Sequence, residues 1–579
     1  MMKKIMTAMV VVTAGLILQC CSTDDPLSYS ENNATWSGNS NVTAEVNGST
    51  TNAESGELVS FDVNIDQSTA EPTATVAAYY PDEEDNLTNN SFTTLVDIDM
   101  SNPTAKTENG VTVTVNGNHI TANHGEVKNV CYVVSGQTSN GSLTILGEKK
   151  YAVKLTDVSI QNPDSAALNL LSKKRAFITL SGTNTLTDGT SSQNDHKGAL
   201  YCKGKLIFAS GSGQLTVNGN YNNAIHSADY IVFDKGNNIY AKSTANHGVK
   251  ANDGIYINGG ILNVEVSAAA AKGINSESDI QVNGGRTTVI ATGGGAYEDG
   301  EAKGAAAVKC DSVFTQNGGE LYLKATANGG KGLKADWEAY INGGKLRVVT
   351  TGGVYSSGSD TASPKGVKVG TKNVHGVLNI AGGDVMVRTN GQKGEGIESK
   401  GSLTVSGGSV VVSAYDDAIN SSGDMYLTGG SIVAVGRNND GIDANGNLYI
   451  EGGTVVAYGA GGAESGIDTS ERTSLYIKGG NIIGIGGRID ATLGSTTQGI
   501  VSTSGTLNAN ATVTVSDGSK NLATFTLPPY STSGTILLST QGMTSGNSYY
   551  VNWGSQTSTV TATNSLSGSV MGGFPGGRH

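Results

Sequence analysis

The chain has 579 residues, a formal net charge of −13 and only 15% charged residues, a balance that argues against nucleic-acid binding. Glycine is about twice as frequent as usual, with 81 residues, whereas the 9 prolines are few, which excludes collagen and proline-rich linkers. So much glycine indicates either flexible filler or a turn repeated many times. The positions of the glycines decide between the two.

The amino terminus has the pattern of a secretory signal. Two lysines precede an apolar run, residues 5–18, that is too short to span a membrane as a helix. Residues 18–21, Leu-Gln-Cys-Cys, resemble a bacterial lipobox, so we predict that residues 1–20 are a lipoprotein signal peptide and that Cys21 is lipidated. The acidic pair at 24–25 is similar to export tags for the cell surface. We expect an outer membrane lipoprotein exposed at the cell surface, with the periplasmic face as the alternative.

After this signal, the glycines recur as Gly-Gly pairs at intervals of 22 to 27 residues, interrupted by two longer intervals of 34 and 39 residues. Each pair lies between short strands of alternating polarity, such as 448–451 and 454–457. A strand, a Gly-Gly turn, a strand and a second turn make one coil of a parallel β-helix. The sequence therefore predicts an all-β solenoid. The first glycines of the pairs are Gly259, Gly284, Gly318, Gly343, Gly382, Gly407, Gly429, Gly452 and Gly479.

A second repeated motif predicts the core of this solenoid. One aliphatic residue recurs in each coil, always after Gly or Ala, which indicates that little space is left for a side chain there. Two positions beyond it lies a mostly small residue, and Cys202 and Cys310 occupy this place. We expect these cysteines to be buried and unreactive, and together with Cys131 they have no metal or disulfide spacing. The aliphatic residues are Leu200, Ile225, Val249, Ile274, Val308, Leu333, Val367, Ile397, Ile419, Ile442 and Ile467.

The composition divides the rest of the chain. Residues 21–105 are rich in Ser, Thr and Asn and indicate a tether with N-terminal strands, followed by the β-helix over 106–498. After residue 498 the Gly-Gly period stops and new strand patterns begin. We therefore predict a small antiparallel β cap and a glycine-rich tail over 499–579, because a solenoid needs a cap to protect its last coil from pairing with another chain.

Two columns that flank the aliphatic residues carry charge and change from basic to acidic near residue 390. Like charges in adjacent coils, ~4.8 Å apart, repel by roughly 1 kcal/mol in water and about 3.5 kcal/mol at an effective dielectric constant of 20. Ca²⁺ would relieve this repulsion at the acidic end, because its preferred ligands are oxygen atoms. The alternative is a solvated edge whose Asp side chains cap turn amides. The candidate ligands are Asp416, Asp417, Asn420, Asn439, Asp440, Asp443, Glu464 and Asp468.

The basic end and a column of tyrosines are the candidate carbohydrate contacts. A row of lysines would suit an extended uronate polymer, and the alternative is a solvated lysine face. Exposed tyrosines in successive coils could form a flat platform for sugar rings, and the alternative is stacking without a ligand. The lysines are Lys309, Lys331, Lys334, Lys365 and Lys368, and the tyrosines are Tyr426, Tyr449 and Tyr476.

Residues 130–189, the segment 542–549 and the glycine-rich stretch 572–577 resemble a bacterial family of secreted carbohydrate-binding proteins. The resemblance implies a pectate-lyase-like right-handed parallel β-helix that binds Ca²⁺ and is associated with cellulose and acidic pectin. The Asp-Gly-Ile motif of the family is missing from the early coils, where residues 223–225 read Asn-Ala-Ile. It is present at 440–442, so the implied metal roles apply to the later coils.

The motifs favour a binding protein over an enzyme. Residues 438–443 resemble the Asn-x-Asp-Gly-x-Asp motif of polygalacturonases, but the later His and Arg-x-Lys motifs of those hydrolases are missing. A lyase would need a basic residue beside the acidic cluster, and neither Arg437 nor Lys478 is singled out by its spacing. We expect non-catalytic binding of an acidic or plant cell-wall polysaccharide, membrane association only through the lipid, and no nucleic-acid partner. A Ca²⁺-dependent pectate-type lyase and a ligand-free scaffold or adhesin are the alternatives, and the oligomeric state stays open.

Overall fold

A computed structural model describes residues 41–46, 49–54, 62–65, 70–73, 75–190 and 196–565 of the chain. The proposed signal peptide and Cys21 lie outside these residues. The described part consists of β-strands and two short 3₁₀ helices, Glu83–Asp85 and Leu87–Asn89. None of its helices is long and apolar enough to cross a membrane.

The predicted all-β parallel β-helix with a C-terminal antiparallel sheet is confirmed. Each coil adds one strand to each of three sheets, and within each sheet successive coils pair in parallel. Parallel pairing in register places the same position of every coil in one column. A position in the sequence repeat is therefore also a position on one face of the molecule.

Sheet 1 and sheet 2 are joined by the Gly-Gly turns. The strands of sheet 1 are Thr94–Asp99, Val130–Ser135, Tyr151–Thr156, Ala176–Ser181, Leu206–Phe208, Ile231–Phe233, Ile255–Ile257, Ile280–Val282, Val313–Gln316, Glu338–Ile341, Val377–Ile380, Leu403–Val405, Met425–Leu427, Leu448–Ile450 and Leu475–Ile477. The strands of sheet 2 are Gln137–Thr138, Ser159–Asn162, Thr183–Asp188, Gln214–Gly219, Asn238–Ser243, Ile261–Val266, Arg286–Ala291, Glu320–Ala325, Lys345–Thr350, Asp384–Thr389, Ser409–Ala414, Ser431–Gly436, Thr454–Tyr458 and Asn481–Gly486, extended by the antiparallel strands Ile500–Leu507 and Thr532–Ser539.

Sheet 3 carries the aliphatic column and the charged columns. It begins with an antiparallel meander and continues in parallel. Its strands are Lys106–Glu108, Val111–Asn116, His119–Asn123, Ser142–Leu146, Leu168–Leu170, Gly198–Cys202, Asn223–Ser227, Val249–Ala251, Lys272–Ser276, Ala306–Cys310, Lys331–Ala335, Lys365–Val369, Glu395–Ser399, Ile419–Ser421, Ile442–Ala444, Ser465–Thr469 and Arg488–Asp490.

The aliphatic column is the predicted core. All eleven residues, from Leu200 to Ile467, are at most 3% exposed, and Cys202 and Cys310 are buried beside them. Burial raises the pKa of both thiols to about 12, so neither is a reactive thiolate. The glycine that precedes the aliphatic residue is needed for space: a Cβ on Gly332 would lie 2.1 Å from Val348 Cγ1 of sheet 2.

The Gly-Gly pairs are explained by the backbone. In all nine pairs the second glycine has a positive φ, between 69° and 87°, a conformation that L side chains rarely adopt. The first glycine approaches the preceding coil closely, as a Cβ on Gly343 would lie 2.7 Å from the carbonyl oxygen of Asn317. The same two glycines are therefore required in each of these coils.

The first and last strands of the described residues belong to one antiparallel sheet at the carboxyl-terminal end of the solenoid. Its strands are Asn41–Val46, Ser49–Glu54, Thr512–Ser516, Asn521–Thr526, Ser548–Trp553 and Gln556–Thr561. The described residues between 62 and 93 contact the outside of the solenoid and precede the first strand of sheet 1 at Thr94. Several polar contacts hold this amino-terminal segment: Glu71 accepts hydrogen bonds from the amides of Gly236 and Gly260, at 2.8 and 2.6 Å.

Residues 82–85, which composition alone assigned to a tether, form the strongest of these contacts. Arg175 of sheet 1 is 7% exposed and forms ion pairs with Asp82, Glu84 and Asp85 at 2.6 to 2.7 Å. Asp85 is fully buried and also accepts hydrogen bonds from the hydroxyl of Tyr230. This part of the segment is therefore docked on the solenoid.

Candidate functional site

The two long intervals between Gly-Gly pairs contain inserted residues that fold into β-hairpins beside sheet 3. The first pairs Ala296–Glu298 with Glu301–Lys303, and the second pairs Tyr355–Ser357 with Asp360–Ala362. The hairpins contact each other, since the amide of Ala302 donates to an Asp360 carboxylate oxygen at 2.5 Å. Together with the outer face of sheet 3 they enclose a groove of about 1020 Å³.

The groove is lined by all five lysines that the sequence analysis selected. Nine lysines and six carboxylates face it in total, so its formal charge is positive. Lys272 also lines the groove. It lies in the same column as Lys331, and this shared position could have identified it from the sequence. The predicted lysines, brought together by the register of sheet 3, are Lys309, Lys331, Lys334, Lys365 and Lys368.

Acidic side chains neutralise most of these lysines. Asp336 accepts from Lys309 and Lys334, at 3.3 and 3.0 Å. Asp336 therefore links lysines of two adjacent coils. The repeat did not indicate these ion pairs, because Asp336 lies in a turn outside the charged columns.

Glu398 likewise neutralises several lysines, at the end of the groove nearest the acidic columns. It is 2% exposed and contacts Lys365 and Lys368 at 3.6 and 3.0 Å, and it also pairs with Lys400. Burial by itself would raise the pKa of Glu398, but the three lysines lower it. Lys365 is paired in addition with Glu395 at 2.5 Å.

Two lysines of the groove bond only to backbone carbonyl groups. Lys331 Nζ donates to the carbonyl oxygen of Gly329 at 2.8 Å, and Lys272 Nζ donates to those of Ala270 and Gly304. Neither amine forms an ion pair with a carboxylate in the described part of the chain. Burial, followed by repulsion from neighbouring lysines, lowers the pKa of Lys331 to about 7. Burial likewise lowers the pKa of Lys272 to about 8, although Glu298 partly opposes this.

The acidic columns continue along the same face of sheet 3. Asn420 Nδ2 donates to Asp417 at 3.2 Å and to Asp443 at 2.8 Å, so one amide links two coils. The carboxylates of Asp417 and Asp440 accept from backbone amides of the next coil, at 3.1 and 2.5 Å, which is the capping role considered as the alternative to metal binding. Asp468 Oδ1 is buried and accepts no hydrogen bond within the described part of the chain.

Burial and mutual repulsion raise the pKa values of these carboxyl groups. The pKa is about 8 for Asp417 and Asp468, about 7 for Asp440 and about 6 for Asp443, with burial as the largest cause in each. Asp416 and Glu464 lie at the edges and add to the repulsion, on Asp417 and Asp440 respectively. Asn439 lies in the adjoining turn, where its carbonyl accepts from Ala460.

The acidic face is not a preformed metal cage. Among the described residues, no group of three or more His, Cys, Asp or Glu side chains converges in the way that holds a metal ion. The donor set nevertheless consists of carboxylate and amide oxygens, which fit the chemistry of Ca²⁺ and not that of zinc.

The tyrosine column lies on sheet 1, away from the groove and the acidic face. Tyr426, Tyr449 and Tyr476 stack face to face, with ring centroids 5.0 and 4.8 Å apart and interplanar angles of 5° and 9°. A Cβ on Gly494 would lie 2.3 Å from the ring of Tyr476, so this end of the stack is also covered. The rings cover one another, which leaves ring edges and hydroxyl groups, not a flat platform of ring faces, for a ligand.

Two exposed aromatic side chains near the groove escaped the sequence analysis. Tyr297 of the first hairpin and Trp337, next to the groove-lining Asp336, are each 56% exposed. Aromatic faces bind sugar rings through their apolar area. Neither residue belongs to a repeated column, so no periodic signal could have found them.

The family model of carbohydrate-binding domain-containing proteins matches residues 107–270, 242–435 and 383–574, which together cover most of the chain. The chain belongs to this family. Membership of this family supports carbohydrate binding as the function of the chain. One solved structure, described as the polysaccharide lyase-like protein from C. thermocellum in a gadolinium derivative, is similar at 22% identity, covers 50% of this chain and 96% of its own, and has a TM-score of 0.32. No curated protein matches the sequence.

Proposed function

We propose that this member of the carbohydrate-binding family binds an acidic polysaccharide, without catalysis, in the lysine groove of sheet 3. The observation that carries the proposal is the excess of lysines over carboxylates in a groove that follows the axis of the solenoid across several coils. A polymer laid along this axis meets a new set of side chains in each coil, and its carboxylates would replace water around the amines.

Ca²⁺ at the later coils is the second part of the proposal. Asp417, Asp440, Asp443 and Asp468 with Asn420 would hold the ion, and a bound dication would relieve the repulsion that raises their pKa values. The buried, unpartnered Oδ1 of Asp468 supports this choice. The ion would stabilise the acidic coils that adjoin the groove.

The cellular setting of the proposal comes from the amino terminus. Residues 1–20 would be removed and Cys21 lipidated, so that the protein is held at the outer membrane and faces outward. Mass spectrometry of the mature protein for a lipidated Cys21, and protease treatment of intact cells, test this part. An unprocessed amino terminus would contradict lipidation, and protection from protease would favour the periplasmic face.

Binding in the groove is tested with two substitutions that leave no carboxylate alone. In Lys334→Gln, Asp336 retains its ion pair with Lys309. In Lys368→Gln, Glu398 retains its ion pairs with Lys365 and Lys400. We expect each to weaken the retention of the protein on polygalacturonate by about tenfold, because hydrogen bonds to charged groups contribute about 1.5 kcal/mol or more. Lys345→Gln on sheet 2 is the matched control, since Glu320 keeps Arg286.

The same incubation distinguishes the remaining possibilities. Retention of all variants alike would move the binding site away from the groove, and loss in Tyr449→Ala would place it on the tyrosine column. Formation of unsaturated products, followed by ultraviolet absorbance, would make the protein a lyase. Failure to bind polygalacturonate, cellulose or host-type glycans would leave a scaffold.

Calcium binding is tested by thermal unfolding at two pH values. The raised pKa values mean that the folded chain binds more protons than the unfolded chain between about pH 4 and pH 8, so the metal-free protein loses stability as the pH rises through this window. We expect Ca²⁺ to raise the Tm more at pH 8 than at pH 5. Asp440→Asn with Asp443→Asn should abolish this increase, whereas Asp517→Asn in the cap should retain it. An equal Tm with chelator and with Ca²⁺ would refute the metal site.

A further inference from the structure

One of the two charged columns, formed by the residues two positions before the aliphatic residues, contains lysines with and without carboxylate partners. Lys272 pairs with Ala306, and Ala306 pairs with Lys331, so the two lysines without acidic partners are separated by one uncharged coil. Beyond Lys331 the column continues with Lys365, which Glu395 neutralises. Before Lys272 it contains His247, whose Nδ1 accepts from the amide of Lys272.

Within this column, the two lysines without a carboxylate partner therefore lie two coils apart. Burial and nearby lysines lower the pKa of His247 to about 3, which keeps the imidazole uncharged. In the coil of Ala306, Lys309 of the other charged column is already paired with Asp311 and Asp336. Lys272 and Lys331 are the lysines in the described part of the column that lack a carboxylate partner, and a bound carboxylate would favour the charged form of each amine.

The spacing of these two cations matches a polymer repeat. Adjacent coils lie ~4.8 Å apart, so Lys272 and Lys331 are separated by about 10 Å along the solenoid axis. One sugar unit of an extended polysaccharide is about as long as one coil is high, and two coils correspond to a disaccharide. A ligand along the groove would place equivalent groups of alternate sugars at the two lysines.

We propose that the groove selects a linear polysaccharide in which a uronate alternates with an uncharged sugar. The two carboxylates bind Lys272 and Lys331, and the uncharged sugar lies over Ala306. This inference rests on the proposed binding of an acidic polysaccharide and names its charge pattern. A polymer with a carboxylate on every sugar would place one of them in the coil of Ala306, where Lys309 is occupied by two acids.

The test compares three hexasaccharides by isothermal titration calorimetry. Unsulfated chondroitin alternates glucuronate with an uncharged amino sugar, β-1,4-linked oligoglucuronate has a carboxylate on each sugar, and cellohexaose has none. We expect chondroitin to bind more tightly than oligoglucuronate at the same concentration of carboxylate. Cellohexaose should bind the weakest of the three.

Substitutions then connect this preference to the column. Lys272→Met and Lys331→Met should each weaken chondroitin binding by about tenfold, since each removes one charged contact. Ala306→Lys adds a cation between them and should shift the affinity ratio toward oligoglucuronate. Lys242→Met, on the outer face of sheet 2, is the control, and the Tm of each variant verifies folding.

The outcomes separate this inference from the proposed function. Equal or tighter binding of oligoglucuronate overturns the alternating pattern and leaves acidic polysaccharide binding intact. Unchanged chondroitin binding in both Lys→Met variants also overturns the inference. If no acidic ligand binds and the Lys334→Gln and Lys368→Gln variants equal the parent on polygalacturonate, the proposed function is refuted as well.

Discussion

The amine of Lys331 is held in the groove by a single carbonyl group and surrounded by other cations. Its neighbours Lys272, Lys334, Lys365 and Lys368 all lower its pKa, after burial, which is the largest cause. A charged amine in this position costs stability, because water has been replaced without a compensating carboxylate. In the protein without ligand, the charged amine of Lys331 is therefore repelled by neighbouring lysines at the place where an anion would bind.

This cost makes the stability of the protein depend on pH in a defined direction. The pKa of Lys331 is about 7 in the folded chain and about 10.4 in an unfolded chain, so the unfolded chain binds one more proton between these values. The contribution of Lys331 to the free energy of unfolding thus rises with pH from about 7 to about 10.

We expect Lys331→Met to raise the Tm at pH 6 and to lose this advantage at pH 10. Thermal unfolding by circular dichroism across this range measures the effect. Lys242→Met, whose lysine is half exposed on sheet 2, should show no such pH-dependent difference. A constant difference between Lys331→Met and the parent at all pH values would contradict the lowered pKa.

At the scale of the element, the Gly-Gly turn is the unit that makes each coil possible. The second glycine has a positive φ, and the first lies against the carbonyl group of the coil before it. Because only glycine meets both requirements, the spacing of the Gly-Gly pairs predicted the coil repeat, and the second motif predicted the buried aliphatic column. The sequence predicted two strands in each coil, whereas the structure has three, so the third sheet was not predicted.

The turn can be tested at one position. Gly344 has a φ of 79°, and a Cβ there would lie 2.5 Å from the carbonyl oxygen of Gly319. We expect Gly344→Ala to lower the free energy of unfolding by about 1–3 kcal/mol, from backbone strain and the close contact. Chemical denaturation measures this loss. Gly461→Ala, which would meet no atom within 4 Å and has no positive φ, should change stability little.

The hairpins show what the repeat could not predict. Their insertion was visible as two long intervals. The contact between the two hairpins, in contrast, is non-local, and no period encodes it. The ion pairs of Asp336 escaped for the same reason. The repeat predicted that the lysines lie on one face. Only the structure showed the hairpins that turn this face into a groove and the acidic side chains that neutralise most of the lysines.

The contact between the hairpins is open to a direct test. Asp360→Ala removes the carboxylate that accepts from the amide of Ala302 and loosens the wall of the groove. We expect affinity for polygalacturonate to fall severalfold while the Tm changes little, because the hairpins lie outside the core. Ser356→Ala, at an exposed position of the second hairpin outside the groove lining, is the control. Equal affinity in both variants would show that the wall does not contribute to binding.

At the scale of the molecule, the docked amino-terminal segment ties distant coils together. Asp62 contacts Lys324 of sheet 2, Tyr79 exchanges hydrogen bonds with Asn258, and Asp85 reaches Arg175. Composition indicated a tether here because Ser, Thr and Asn dominate the segment. The few acidic and aromatic residues that determine its docking carry no periodic signal, so only tertiary contacts could reveal it.

Removing the cation that anchors this segment should release it. Arg175→Met leaves Asp85 buried without its guanidinium partner, and loss of one partner of a buried ion pair costs about 3–5 kcal/mol. We expect a lower Tm and faster proteolysis within residues 62–93. Lys150→Met removes only a partner of Glu84 that is 34% exposed and 3.4 Å away, so this variant should resemble the parent. Unchanged proteolysis of Arg175→Met would show that other contacts suffice to hold the segment.

The strand Asn41–Val46 pairs with Asn521–Thr526, nearly the whole length of the chain away. During synthesis the coils can stack one by one as they leave the ribosome, since each needs only its neighbour. The first strand, by contrast, must wait for almost the last residues to be made before it finds its place. Closing this sheet thus requires complete translation: a chain that ends early can build coils, but Asn41–Val46 then pairs only with Ser49–Glu54 and lacks its second partner strand.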